Sequence, residues 1–229
     1  MSLLDDKPGA SSCNYPWVLL MTATVNPRGT ILTERTDVQT RIDDYLASLK
    51  FWFSATDIPI VFCENSAGDM KVFEEFGKDR KTPFEILSFD CPPYDPKKGK
   101  GYGEVEIFKY AIANSKLIGP DTRIIKVTGR YQVLNFKSIF RHMQKMTFDI
   151  CIDLRYSLRY SDCRLFAATV EFFETYLFPE SEKIDDTVTP PMSLEHVLAY
   201  ATLRAIADGS IQETIPNPPF VWAVAGTTG

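Results

Sequence analysis

The sequence predicts an α/β fold: a central sheet, mainly parallel or mixed, with helices on both faces. Three observations lead there. Short apolar runs rich in β-branched and aromatic residues alternate with helical stretches of about 10 to 15 residues, the pattern of successive βαβ units. The 229 residues suffice for a core without disulfide or metal staples. The composition, 45% hydrophobic, 13% aromatic and 24% charged, is that of a packed chain and not of a disordered one.

The run WVLLMTATV reads as a buried first strand, ended by the turn Asn26-Pro27-Arg28-Gly29. Thr36-Asp37 then caps a helix on which Val38, Ile42, Tyr45, Leu46 and Leu49 recur at helical spacing. IPIVFC is a second strand, ENSAGD a turn, 70–76 a short helix and FEILSF a third strand. After a Pro-rich loop at 91–96, a helix over about 103–118 places Ile107, Phe108, Ala111, Ile112 and Ser115 on one face, and RIIKVTG follows as a fourth strand. Farther on, 135–145 reads as a helix, FDICIDLR as a strand and 162–176 as a strongly apolar helix. An acidic, Pro-containing loop at 179–191 leads to a capped helix over 193–209, and VWAVAGTTG reads as a last strand and loop. With no internal repeat, the chain reads as one domain, 1–229.

Charge narrows the partners. The formal net charge is −5, against the basic excess of a nucleic-acid binder, so no nucleic acid is expected. The charge is uneven: residues 97–131 hold eight Lys/Arg and three Asp/Glu, a local +5. Apolar runs such as WVLLM fall far short of the roughly 18 residues of a membrane span, and the N-terminus lacks an apolar leader, so a cytoplasmic location is expected. Five cysteines without a CxxC pair and two histidines support neither a disulfide framework nor structural zinc.

Two segments carry chemistry. Gly99, Gly101 and Gly103 alternate with Lys100, Tyr102 and Glu104 at the start of a helix, where glycine permits close backbone approach and free N–H groups favour an anion. The spacing is neither that of a P-loop nor that of a dinucleotide fingerprint. The fourth strand ends in Lys126, Thr128, Gly129 and Arg130, and ligands of parallel sheets collect beyond the carboxyl ends of strands. Arginine grips phosphate through two parallel hydrogen bonds and lysine adds a point charge.

The order of these segments resembles the nucleotide-sugar-binding half of inverting family 2 glycosyltransferases, whose fold is called GT-A. Thr24-Val25-Asn26 is similar to that family's TYN, and Phe62-Cys63-Glu64-Asn65-Ser66 stands where the family has VDDGS, whose acids contact the nucleotide base. Residues 99–115 fall where those enzymes carry a GxxxARN loop and helix. GKGYGE followed by KVTGRY resembles a branch of bacterial capsule and lipopolysaccharide sugar transferases. The resemblance implies a nucleotide-sugar-binding half at 16–136 and an acceptor-side half at 137–229. It implies donor contacts at Thr24, Asn26, Glu64 and Asn65 and at the two charged segments. The implied reaction moves a sugar from a nucleotide diphosphate donor to a surface-polysaccharide or lipid-linked glycan. A lipid-linked acceptor implies peripheral association with the inner face of the membrane.

One departure matters. The family's metal-binding DxD is missing from 126–130, so Lys126 and Arg130, with Lys100, are expected to replace the cation, and no cofactor is required; Mg²⁺ or Mn²⁺ is the alternative. Inverting transfer requires a general base. Glu195 stands where the family places an ED pair, and Asp153 and Asp186 are the alternatives. The competing readings are a sugar-nucleotide nucleotidyltransferase, which would carry a GxGTR-type loop where this chain has Asn26-Pro27-Arg28-Gly29-Thr30, and a catalytically silent nucleotide-sugar-binding module.

Overall fold

The computed structural model describes residues 15–28, 35–216 and 220–222. Its central strand, β1 (Trp17–Ala23), pairs in parallel with β2 (Ile60–Glu64) on one side and with β4 (Arg123–Thr128) on the other; Leu19 lies opposite both Ile60 and Ile125. β3 (Phe84–Ser88) extends the parallel set beyond β2. Both faces of β1 are buried: Val18 and Leu20 enter one core, Leu19 and Met21 the other. That explains a continuous apolar run where alternation would mark a half-exposed strand.

Helices cover each face. On one side α1 (Val38–Ala55) contributes Tyr45, Leu49 and Trp52, with Phe73 of α2 (Lys71–Gly77) and Phe136, Ile139 and Met143 of α4 (Phe136–Met143). Asp37 caps α1 as expected, accepting from the Thr40 N–H at 2.7 Å. The other face is covered by α3 (Gly99–Asn114) and α7 (Leu194–Ala207). α3 starts earlier than the expected 103, because a 3₁₀ turn at Pro96–Lys98, held by the Asp95 carboxylate, leads straight into it.

The second half corrects the sequence reading. The helix expected over 162–176 is a strand for its first part: β9 (Leu165–Thr169) runs antiparallel between β4 and β6 (Ile150–Cys151), with Phe166 opposite Lys126 and Ala168 opposite Ile150. A strand buried on both faces is apolar at every position, so periodicity cannot separate it from a buried helix. Helical structure begins only with α5 (Val170–Phe172), continues through a π-turn at Phe173–Leu177 and α6 (Phe178–Ser181), and so runs into the 179–191 stretch expected to be a loop.

FDICIDLR is likewise two elements. β6 stays in the sheet, whereas β7 (Leu154–Arg155) folds into a hairpin with β8 (Tyr160–Ser161). β10 (Gln212–Glu213) completes a seven-stranded sheet of order β10-β6-β9-β4-β1-β2-β3. β11 (Phe220–Trp222) pairs with β5 (Tyr131–Val133); the remainder of the expected tail, like Cys13 and Gly29-Thr30, lies outside the described residues. Among the described residues no helix is long and apolar enough to cross a membrane.

Candidate functional site

β1, β2 and β4 are parallel, so their carboxyl ends share one edge, and a cleft of about 530 Å³ opens there. Its size is that of a small-molecule site, roughly 300–1,000 Å³. Thr24, Asn26, Asn65, Lys100, Gly101, Gly103, Glu104, Thr128, Arg130, Asp186 and Glu195 all line it; Glu64, Lys126, Gly129 and Asp153 do not.

Side chains tie the strand ends together. The Thr24 hydroxyl donates to Asn65 Oδ1 at 2.7 Å, and Asn65 Nδ2 donates to the Gly103 carbonyl at 3.1 Å, which fixes the ends of β1 and β2 to α3. The Asn26 N–H donates to Ser66 Oγ at 2.8 Å.

Glu64 serves the same purpose, and this corrects its expected role against a base. It is fully buried. One carboxylate oxygen accepts from the Val25 and Ser66 N–H groups at 2.9 and 2.8 Å, the other from the Gly68 N–H and Ser88 Oγ at 3.1 Å each. Its oxygens are spent on the protein's own N–H groups and serine hydroxyls.

Lys126 is corrected for a similar reason. No part of its side chain is exposed, and its ammonium lies 2.9 Å from Glu104 Oε1 while donating to Thr128 Oγ1 at 2.9 Å and to the Cys163 carbonyl. Thr22 donates to the same Glu104 oxygen at 2.6 Å. Lys126 thus neutralises a floor carboxylate instead of meeting a ligand. Gly129 also belongs to the frame: its N–H donates to the Thr22 carbonyl at 2.9 Å, and a Cβ there would sit 2.5 Å from that oxygen.

The glycines of α3 answer to packing as well. Gly99 has φ +58°, and a side chain there would overlap the Asp186 carboxylate, which occupies the space beside the first turn. Gly101 abuts Leu194, and Gly103 abuts the Tyr94 hydroxyl. Half of the cations of the positive window pair with carboxylates: Lys97 with Asp95, Lys98 with Glu182, Lys109 with Glu106 and Lys126 with Glu104. From that window, Lys100 and Arg130 are the cations that line the cleft.

Two further arginines line it, both missed from sequence. Arg28, with φ +46°, holds Asp90 at 2.5 Å and donates to the Ser66 carbonyl at 2.7 Å. Arg41 is 5% exposed, and its guanidinium donates to the Thr24 carbonyl (2.6 Å), the Arg35 carbonyl (3.1 Å) and the Tyr45 hydroxyl (3.3 Å), all neutral acceptors. Burial pushes the nearby Asp44 carboxyl up, while the charges of Arg35, Arg130 and Arg41 pull it down. A signal for Arg41 was present: it heads the buried stripe Arg41, Tyr45, Ser48, Trp52 of α1.

Two carboxylates, Glu195 and Asp186, line the cleft where α7 and the first turn of α3 meet. Glu195, in the first turn of α7, accepts from the Cys163 thiol at 3.0 Å and from the Ser193 hydroxyl at 2.7 Å, and Ser193 Oγ lies 3.0 Å from His196 Nδ1. Burial and the Glu195 charge hold the Cys163 thiol protonated, so it acts as a donor and not as a nucleophile. Burial and the Glu195 carboxylate also push Asp186 up, opposed by Lys100. Asp153 is removed from the candidates by position: it pairs with Arg155 at 2.5 Å, and Arg155 reaches Asp162 at 3.0 Å, away from the cleft lining.

The donor set does not fit a divalent cation at the end of β4, where the Lys126 ammonium already holds the nearest carboxylate, that of Glu104. Among the described residues no group of three or more His, Cys, Asp or Glu is placed to hold a metal.

No protein-family model and no curated sequence matches the chain. Solved structures do. Residues 1–349 of TarS from S. aureus superpose with a TM-score of 0.50 at 12% identity, over 90% of this chain and 59% of that one. A Desulfovibrio desulfuricans G20 protein described as a nucleotide-diphospho-sugar transferase gives 0.47 at 10% identity, over 88% and 80% of the two chains. A cytidylyltransferase from Leptospira borgpetersenii serovar Hardjo-bovis gives 0.43 at 13%, over 88% and 76%. The chain has a GT-A-like fold, a mixed and mainly parallel sheet between two helical layers.

Proposed function

We propose that the protein is an inverting glycosyltransferase that moves a sugar from a nucleoside diphosphate donor onto a surface-polysaccharide or lipid-linked glycan, at the cytoplasmic face of a membrane and without a divalent cation. The observation that carries this reading is the charge lining of the cleft at the carboxyl edge of the parallel strands: the cations Arg41 and Arg130, and the carboxylates Glu195 and Asp186 with Lys100 beside Asp186. The acceptor oxygen attacks the anomeric carbon as its proton passes to Glu195. The bond from that carbon to the diphosphate oxygen breaks, and the pair of electrons leaves with the nucleoside diphosphate. Arg41 and Arg130 face the charge that develops there, and fixed guanidinium donors stabilise such charge without reorganising. Arg41 replaces Lys126 in the clamp expected from sequence.

Calorimetry with UDP, GDP, CDP and dTDP in the presence of EDTA tests the donor side. One diphosphate should bind, and Arg41→Met should weaken it by about tenfold or more, the cost of one charge-assisted hydrogen-bonding group. Binding only with added Mn²⁺ would overturn metal independence, and no binding at all would overturn the donor. Pyrophosphate release from a nucleoside triphosphate and a sugar phosphate would move the protein to the nucleotidyltransferases.

A further inference from the structure

The β7–β8 hairpin spends backbone energy on a tip that the core does not use. Leu154 pairs with Ser161 and Arg155 with Tyr160, and between them Tyr156, Ser157 and Leu158 have φ of 48°, 56° and 67°. Three consecutive side-chain-bearing residues in the left-handed region are sterically strained, because each Cβ crowds the following carbonyl oxygen. Yet Tyr156 is 76% exposed and Leu158 49%. Strained backbone that presents exposed side chains points to a surface with a use.

The base of the hairpin, by contrast, is fixed to the candidate proton acceptor. Arg155 bridges Asp153 and Asp162, the Asp162 N–H donates to the Asp153 carbonyl at 2.9 Å, and the Ser161 hydroxyl donates to the Glu195 carbonyl at 2.7 Å. From the tip inward the rings form a row: Tyr156 to Tyr160 at 5.7 Å between centroids, then Tyr160 to His196 at 5.4 Å. His196 meets Ser193, which donates to Glu195. Burial and the Glu195 charge push the Tyr160 phenol up, so it remains a neutral O–H beside that carboxylate. The row therefore runs from solvent to the carboxylate wall of the cleft.

We propose that this hairpin and the first turn of α7 are a saccharide platform that seats the acceptor glycan against Tyr156, Tyr160 and His196 and delivers one of its hydroxyls to Glu195, an inference that rests on the transferase reading. Pyranose rings present C–H faces that pack on aromatic rings and hydroxyls that bond to phenol, imidazole and guanidinium, and Arg159 is exposed on the same turn. A lipid surface would cover Tyr156 and Leu158 but would have no use for two inner rings linked to Glu195.

The test uses the full chain on an array of immobilised disaccharides of hexoses, N-acetylhexosamines and deoxyhexoses, with nucleoside diphosphate calorimetry in parallel. The wild-type chain should bind at least one saccharide, Tyr156→Ala should weaken it by about tenfold, and Tyr156→Trp should retain it. Diphosphate binding should stay unchanged in both variants, since Tyr156 is not in the cleft lining. No saccharide bound by the wild type, or equal binding by Tyr156→Ala, overturns the platform. So does an equal loss of diphosphate, which would assign Tyr156 to folding, or flotation with phosphatidylglycerol vesicles that Tyr156→Ala abolishes while saccharide binding persists. Failure of the wild type to bind any diphosphate would instead sink the transferase reading and leave the saccharide result standing by itself.

Discussion

On the wall of the cleft built by β1, β2 and β4, buried side chains grip the backbone at the strand ends, whereas on the wall built by the β7–β8 hairpin and α7 the charged side chains are held chiefly by other side chains. On the first, Glu64 collects N–H groups from two loops, Gly129 bonds back to β1, and Asn65 reaches the α3 carbonyl of Gly103. On the second, Glu195 is positioned by a thiol and a hydroxyl, and the hairpin by a guanidinium shared between Asp153 and Asp162. Buried side chains bonded to several backbone groups at once hold the first wall in one geometry.

The comparison breaks most readily at Glu195. Replacing it by Gln should lower the transfer kcat by about 10²–10⁴, the usual contribution of a general base, with diphosphate affinity unchanged in calorimetry. A matching loss of diphosphate affinity would mean that the two walls do not divide the work. On the first wall, Lys126→Met should cost about 3–5 kcal/mol in urea unfolding, because Glu104 would remain in the cleft floor without its cation. The double variant Lys126→Met/Glu104→Leu should recover most of that loss; strict additivity would show that the pair is not coupled.

The smallest effect belongs to Asp162, at the base of the hairpin. Burial pushes its carboxyl up, but the hydrogen bonds and charge of Arg164, with the charge of Arg155, more than offset this, and the net shift is downward from 3.8. A carboxyl lowered in the folded state adds stability above its unfolded pKa and loses it as pH falls through the folded value. Thermal melts of Asp162→Asn should therefore show a shallower decline than the wild type below pH about 4, and a parallel decline in the two would remove Asp162 from the acid-sensitive set.

Legibility followed the same division. β1, β2 and β4 stand out in the sequence because strands buried on both faces make short apolar runs between clear turns, and so does the half-buried edge strand β3, which is bounded by turns as well. β9 does not, because LFAAT is equally apolar and leads into genuine helical spacing at Val170. The hairpin was hidden in FDICIDLR, whose alternation continues through a point where the chain leaves the sheet. Arg41 was passed over because arginine is read as a surface residue, although its place on the apolar stripe of α1 was visible.

Lys126 shows most sharply where a sequence stops informing. The run RIIKVT sets a lysine near the end of an apolar strand, which is compatible both with the phosphate clamp expected of Lys126 and with the buried ion pair that the structure shows. The order of strands and helices from β1 to β4 and the GT-A resemblance were legible in local pattern, whereas the order of elements beyond β4 was not. Only the tertiary structure decided that the acid is Glu104, that Asp186 fills the space beside Gly99, and that Arg41 comes to the cleft with Arg130. Those pairings join elements far apart in the chain, and sheet order together with helix packing sets them, whereas local spacing reports only the face on which each side chain lies.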